Sequence, residues 1–187
     1  MEEVHGSLGS VLRALYNLAR TGWMLRGVPP SQAETVAQHS FLASILALEL
    51  AEEARQRGLQ VDPLRASTIA LLHDAAEAWV GDIPKPAGLD EAKVEAEDRA
   101  IAAAPFSGLA KGLYREFNER STREALIARA AELLATHLAA TWYRGLGYPV
   151  DDILENTLAA ARRAAGEAGA GEALEALLAR LGLGGGL

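Results

Sequence analysis

The chain has 187 residues, of which 50% are hydrophobic and 23% charged, and its formal net charge is −7. This composition excludes a wholly disordered chain, and the lack of cysteine excludes disulfides, thiolate metal ligands and a cysteine nucleophile. The acidic balance disfavours nucleic-acid polymers as partners, although one or two arginines suffice for a small phosphorylated substrate. No apolar run reaches the roughly 18 to 20 residues of a membrane span, and the acidic start lacks a signal-peptide pattern, so we expect a soluble cytoplasmic protein without membrane contact.

Leucine and alanine dominate the chain, and no alternating apolar run indicates a strand, so the sequence predicts an all-α fold. Asp62 before Pro63 is typical of a helix start, and Ser121 with Glu124 predicts a capping box. Glycines and prolines make residues 21–33 and 81–86 irregular. The predicted helices span residues 7–20, 34–57, 62–80, 90–104, 105–119, 121–144, 151–165 and 172–181.

The length suits one hydrophobic core, so we expect a single domain over 1–187. The central part of this domain would span residues 8–145 approximately. Further C-terminal helices would span about 149–182, and residues 183–187 would form a frayed tail. The alanine-rich helices beyond residue 149 could pack on a partner chain.

Four polar residues stand out in the apolar helices. His39 and His73 fall in the middle of predicted helices, where a buried ring must be hydrogen-bonded or bound to a ligand. Asp74 follows His73, and Glu77 lies on the same side of the predicted helix. This set could hold a divalent ion with a separate carboxylate for proton transfer. A buried His–Asp hydrogen bond that joins two helices fits the spacing equally well.

The residues around this set resemble the HD-domain metal-dependent phosphohydrolases, in particular their 5′-deoxynucleotidase branch. The resemblance rests on four stretches: Arg20-Thr21-Gly22-Trp23, Glu34 to Ser40, Leu72 to Pro84 and Ser121 to Glu124. The third stretch contains HDxxE followed by GDIP, which is far more specific than the H…HD pattern alone.

The resemblance implies a single-domain HD-type helical bundle with additional C-terminal helices. It also implies a homodimer and one divalent ion, which could be Mn, Co, Ni, Fe, Zn or Mg. The implied activity is that of a metal-dependent phosphomonoesterase, which hydrolyses deoxynucleoside 5′-monophosphates to deoxynucleoside and phosphate. Two alternatives stay open: an HD phosphohydrolase that acts on a cyclic or triphosphate nucleotide, and a non-catalytic, metal-binding regulatory protein.

The resemblance also implies roles for particular residues. His39, His73 and Asp74 would bind the metal, with Asp74 also taking part in catalysis, and Glu77 would be the catalytic carboxylate. Arg20 would orient the phosphate, with Arg26 as a second candidate. The substrate-binding residues would further include Trp23, Asp82, Ile83, Pro84 and Lys85. For Trp23, stacking on the base and packing in the core fit the sequence equally well.

One position departs from the family pattern. The family's last metal ligand is an aspartate in a K-x-x-D stretch, whereas this chain has Arg129 and Glu132 there. We expect Glu132 to be the fourth ligand, because a lone carboxylate among apolar residues is costly to ionise without a cation nearby. The alternative is a surface salt bridge from Glu132 to Arg129 or Arg162.

Overall fold

The structure, a computed structural model, describes residues 6–84 and 90–183, without the side chains of residues 90 and 91. The predicted tail lies outside this description from residue 184 onwards. The helices are, in chain order, α1 (Leu8–Asn17), α2 (Thr21–Met24), α3 (Val36–Gln56), α4 (Pro63–Leu72), α5 (Glu77–Val80), α6 (Asp90–Ala103), α7 (Gly108–Glu119), α8 (Arg123–Gly145), α9 (Asp151–Ala168) and α10 (Gly171–Arg180).

The all-α prediction is confirmed. Across the described residues the only extended pairing is an isolated antiparallel bridge between Ala19 and Thr35. No described helix combines the length and the apolar character that crossing a bilayer requires.

The core forms where α3 packs against α4 and α8. Alanines are buried along these contacts, and their small side chains allow neighbouring helix axes to approach closely. The buried alanines of α3 and α8 include Ala43, Ala47, Ala51, Ala54, Ala128, Ala131 and Ala135.

The C-terminal helices α9 and α10 extend this bundle, with α9 packed along α8 and α10 packed on α3. Their buried residues, such as Ala161, Ala165, Leu174 and Leu178, belong to the same core. The chain's own core therefore covers these side chains, and packing of the remaining faces of α9 and α10 on a partner chain stays a prediction.

The first helix ends earlier than predicted, because the chain turns to extended backbone at Leu18. The Arg20 N–H donates to the Glu34 carbonyl at 2.9 Å, and the Val36 N–H donates to the Leu18 carbonyl at 2.9 Å. These bonds hold the segment after α1 beside the start of α3. The predicted irregular segment between them contains the short helix α2.

The predicted third helix is two helices. Asp62 caps α4 as expected by accepting the Leu64 and Arg65 N–H groups, but α4 ends at Leu72. Residues 73–76 form turns before α5, which ends at Gly81 with a φ of 78°. A left-handed residue at this point favours glycine.

The position of both histidines within their helices was therefore predicted wrongly. His73 lies at the C-terminal end of α4 rather than in mid-helix. His39 lies in the first turn of α3, directly after a capping box in which Thr35 and Gln38 exchange side-chain bonds to backbone.

The predicted capping box at Ser121 is also wrong by one residue. Thr122 caps α8 by accepting the Ala125 N–H, so Glu124 does not stand at the third helical position. Glu124 instead accepts the Asp62 N–H at 2.9 Å and ties the start of α8 to the start of α4.

Candidate active site

Three donor residues meet where the start of α3 faces the turn after α4. One ligand-type atom each of His39, His73 and Asp74 lies within 4.8 Å of the other two. His39 Nε2 is 3.9 Å from Asp74 Oδ2, and His73 Nε2 is 3.0 Å from the same oxygen. The predicted metal residues are therefore adjacent, in a geometry that a divalent ion could bridge.

The two histidines differ in the hydrogen-bond partners of their ring nitrogens. His73 Nδ1 lies 2.7 Å from the Ala70 carbonyl, so Nδ1 carries a proton and Nε2 is the nitrogen that faces Asp74. His39 is fully buried, and neither of its ring nitrogens has a hydrogen-bond partner among the described residues. Burial lowers the pKa of His39 well below its ordinary value, which keeps its ring neutral. A buried polar ring without a partner is costly, and a bound cation would remove that cost.

Glu77 is the buried carboxylate next to this group. Burial and the nearby Asp74 carboxylate raise the pKa of Glu77 to about 8, against the partial opposition of Lys93. Lys93 Nζ on α6 lies 3.0 Å from Glu77 Oε1 and 3.4 Å from Glu97 Oε1. Glu77 Oε2 has no hydrogen-bond partner among the described residues. One oxygen is thus held by a cation while the other can exchange a proton.

Arg20 lies on the other side of the group, in the chain segment between α1 and α2. Its Nη1 is buried without a hydrogen-bond partner in the described part of the chain, 3.7 Å from Glu34 Oε1. Trp23 is 2% exposed, packs on Tyr143 with ring centroids 4.8 Å apart, and donates its Nε1–H to Glu34 at 2.9 Å. This burial leaves Trp23 little surface for stacking on a base.

A pocket of about 410 Å³ is lined by His73, Asp74, Glu77 and Arg20, whereas His39 lies buried behind it and is not part of the lining. The predicted site residues that line the pocket are Arg20, Trp23, Arg26, His73, Asp74, Glu77, Asp82, Ile83, Pro84 and Glu132. The Asp82 carboxylate accepts the Thr21 N–H, and its carbonyl accepts the Thr21 hydroxyl at 2.9 Å. Asp82 thereby fixes α2 to the loop after α5. The predicted substrate residue Lys85 lies outside the described residues.

Arg26 also lines the pocket, but it is paired with an acidic residue outside the three-donor group. Its guanidinium forms an ion pair with Asp152 at the start of α9. Because Arg26 is already paired with Asp152 whereas Arg20 Nη1 has no hydrogen-bond partner among the described residues, Arg20 is the better candidate for orienting the phosphate.

Glu132 is buried on α8 and lines the pocket, but its carboxylate lies 2.5 Å from Arg129 Nη1. It is not part of the three-donor group. Arg162 pairs with Glu175 instead. The salt bridge from Glu132 to Arg129, which the alternative to metal binding predicted, is therefore present. Glu132 is buried, however, whereas that alternative placed it on the surface. Its role as fourth ligand stays a prediction.

Sequence reasoning missed two charged residues of the site. Glu34 was named only as the start of a helix and of a stretch that resembles the family, and Lys93 was given no role. Lys93 reaches Glu77 because α6 packs against α5, and no local pattern indicates that contact. Glu34 stands directly before the capping residue Thr35, where a carboxylate usually faces solvent, so its burial was not indicated either.

Comparison with known proteins decides the family. The family model described as "HD domain" matches residues 12–162. The chain belongs to the HD domain family. The resemblance found in the sequence motifs is therefore confirmed.

Two similar proteins are each named 5′-deoxynucleotidase HDDC2. The one from Danio rerio is 28% identical over 139 residues, covering 71% of this chain and 66% of that protein. The one from Dictyostelium discoideum is 31% identical over 124 residues, covering 62% of this chain and 64% of that protein. The chain thus spans somewhat less than two thirds of these relatives.

Among solved structures, the PH0347 protein from Pyrococcus horikoshii is similar over nearly its whole length. The TM-score is 0.77 at 31% sequence identity, and the match covers 93% of this chain and 95% of that one. The agreement extends to the C-terminal helices, which therefore belong to the shared fold.

Proposed function

We propose that the protein is a metal-dependent 5′-deoxynucleotidase, which hydrolyses deoxynucleoside 5′-monophosphates to deoxynucleoside and phosphate. The observation that carries the proposal is the group of His39, His73 and Asp74, of which His73 and Asp74 line the same pocket as Glu77 and Arg20. The names of the two HDDC2 relatives support the substrate class. The pocket volume of about 410 Å³ suits a small ligand.

The donor set fits a divalent ion. Two imidazoles and a carboxylate suit several first-row metals, and His39 Nε2, which has no hydrogen-bond partner among the described residues, is the atom that such an ion would satisfy. An ion held there would supply Lewis-acid polarisation of the phosphate and a bound water of lowered pKa.

The chain's own residues would bind the phosphate and move the proton. The Arg20 guanidinium, which belongs to the pocket lining, would donate to a phosphate oxygen and offset negative charge in the transition state. Glu77 Oε2 would accept a proton from the attacking water and return one to the leaving 5′-oxygen. Lys93 would hold the other Glu77 oxygen, so that one oxygen alone exchanges the proton.

The loop after α5 would form the sugar side of the pocket. Ile83 and Pro84 line it, and Asp82 holds this loop to α2, which follows Arg20 directly. A sugar in this position would place its phosphate between Arg20 and the metal group. The net charge of −7 supports free nucleotides rather than nucleic-acid polymers as substrates.

Phosphate release from a panel of nucleotides tests the proposal. Deoxynucleoside 5′-monophosphates, ribonucleoside 5′-monophosphates, cyclic nucleotides and triphosphates are each incubated with Mn²⁺, Co²⁺ or Mg²⁺. We expect release from the deoxynucleoside 5′-monophosphates, abolished by chelation. Release from cyclic or triphosphate nucleotides alone would refute the substrate class, and bound metal without any release would indicate a non-catalytic protein.

We propose further that the protein is a homodimer, formed through the surface that we call the aromatic face, made of Tyr16, Phe41 and Trp142. These side chains are 72%, 61% and 53% exposed and line one groove of about 760 Å³. A two-fold interface needs only one self-complementary surface, and large exposed aromatic side chains are typical of such interfaces.

Light scattering coupled to gel filtration tests the dimer. The double change Phe41→Ser and Trp142→Ser should halve the molar mass. The change Leu64→Ser, at a residue 72% exposed outside this face, should leave it unaltered. A monomeric protein before any substitution would contradict the proposal.

A further inference from the structure

Glu34 brings one carboxylate oxygen close to three residues of the site. Its Oε1 accepts the Trp23 Nε1–H at 2.9 Å and lies 3.7 Å from both His39 Nδ1 and Arg20 Nη1. Glu34 is itself buried. A metal-ligand candidate and the phosphate-binding candidate therefore face the same anion.

We propose that Glu34 is a positioning residue, which orients His39 for metal binding and Arg20 for phosphate binding. The phosphate part rests on the proposed function, whereas the metal part rests only on the His39, His73 and Asp74 group. Glu34 would contact neither the reacting phosphate nor the ion and would act through its two neighbours.

The two nitrogens of His39 face opposite partners. Nε2 lies 3.9 Å from Asp74 Oδ2, on the side of the donor group, and Nδ1 lies 3.7 Å from Glu34 Oε1. A carboxylate beside Nδ1 favours the tautomer with the proton on that nitrogen, which leaves the Nε2 lone pair for an ion. A carboxylate behind a ligating histidine also increases the basicity of the ligand and fixes its ring.

Glu34 contributes more to the charge balance of Arg20 than Asp74, Asp82 or Glu77. The Arg20 side chain is 19% exposed, and a buried guanidinium needs an anion close by. Trp23 donates to Oε1 and restrains the carboxylate, while the backbone bond from Arg20 N–H to the Glu34 carbonyl fixes the distance between the two chain segments. The carboxylate is thus placed by its own backbone and by Trp23, independently of any ligand.

The chain offers a matched control in Tyr143. Its hydroxyl accepts the Glu34 N–H at 2.7 Å and donates to the Gln32 carbonyl at 2.9 Å. Tyr143→Phe removes these bonds to the backbone around Glu34 and keeps the carboxylate. A purely structural role for this network would make the Tyr143 and Glu34 substitutions equivalent.

The first test is a calorimetric titration of Co²⁺ into the metal-free full-length protein, with no nucleotide present. Glu34→Gln keeps the shape but removes the charge, and should raise the Kd for Co²⁺ roughly 10- to 100-fold, the usual effect of losing a carboxylate behind a ligand. Glu34→Asp keeps the charge on a shorter side chain, so its Kd for Co²⁺ should lie between those of the unsubstituted protein and Glu34→Gln. Tyr143→Phe should change the Kd less than about threefold, and circular dichroism checks that each variant is folded.

The second test measures inorganic phosphate binding at saturating Co²⁺. Glu34→Gln should weaken it when Arg20 is present and leave it unchanged in an Arg20→Ala background, whereas the Co²⁺ effect should persist in both. A Co²⁺ Kd within threefold of the unsubstituted protein for Glu34→Gln, or equal losses for Tyr143→Phe, would overturn the proposal. Because both titrations omit nucleotide, a protein that releases no phosphate from nucleotides but shows these shifts would refute the proposed activity and support the role of Glu34.

Discussion

Neutralising Glu77 should stabilise the metal-free protein, and more so as the pH rises. The pKa of this buried carboxyl is about 8, against an ordinary value of 4.5. The folded state therefore binds the proton more tightly than the unfolded chain. Its contribution to stability is complete below about pH 4.5 and is lost as the pH rises towards 8. Glu77→Gln removes this loss, and Lys93 keeps an anionic partner in Glu97 at 3.4 Å.

The size of the effect follows from the two pKa values. Between them, each pH unit changes the stability difference by about 1.4 kcal/mol, so the advantage of Glu77→Gln should grow by about 3 kcal/mol from pH 5.5 to 7.5. For a protein of this length that corresponds to a rise in relative Tm of roughly 5 to 10 °C.

Thermal unfolding with a chelator present, at several pH values across that range, measures the effect. The control is Glu175→Gln, at a half-exposed carboxylate whose pKa is lowered by its hydrogen bond to Arg162. The free energy of unfolding of that variant should differ from that of the unsubstituted protein by no more than about 1 kcal/mol, and the difference should be the same at each pH. A Glu77→Gln difference that stays constant from pH 5.5 to 7.5 would refute the reasoning.

The same Glu77→Gln protein tests the chemistry once it is loaded with metal. It should retain its ion and lose roughly 10²-fold or more in kcat, because a positioned acid–base group contributes about that factor. Loss of the ion would contradict the assignment of Glu77 as a proton carrier, as would an unchanged kcat.

Further substitutions test four individual residues. His73→Ala should abolish bound metal, and elemental analysis after gel filtration that found full occupancy would exclude the metal group. Arg20→Ala should impair turnover and Arg20→Lys restore it only partly, because lysine lacks the bidentate fork; a neutral Arg20→Ala beside a damaging Arg26→Ala would reverse that assignment. Glu132→Gln should weaken metal retention if Glu132 is a ligand, and a metal-bound structure with its carboxylate more than roughly 3.5 Å from the ion would exclude direct ligation.

The helical class and most helices were predictable from the sequence, because alanine and leucine content and the Asp62–Pro63 pair act locally. The break of the third helix at Leu72 was not, since residues 71–80 carry helix-forming side chains and the turns at 73–76 depend on the surrounding structure. His73 and Asp74 still line the pocket, so the predicted proximity of the site residues did not depend on the wrong helix boundary.

The charged surroundings of the site were less predictable. Lys93 reaches Glu77 by packing of α6 against α5, and Glu34 meets Arg20 and Trp23 because the segment after α1 lies beside the start of α3; periodicity encodes neither contact. The choice of Arg20 over Arg26 likewise depends on the Asp152 ion pair at the start of α9. Residue types and spacing thus indicated the donors, whereas their electrostatic partners required the structure.

The central claim is that one ion at the His39, His73 and Asp74 group makes this protein a phosphomonoesterase. The most direct measurement titrates Co²⁺ or Mn²⁺ into metal-free protein and follows bound metal and phosphate release from a deoxynucleoside 5′-monophosphate in the same samples. We predict that the rate rises in proportion to occupancy and saturates at one ion per chain. Release that is independent of occupancy, or none at full occupancy with every metal tried, would contradict the claim.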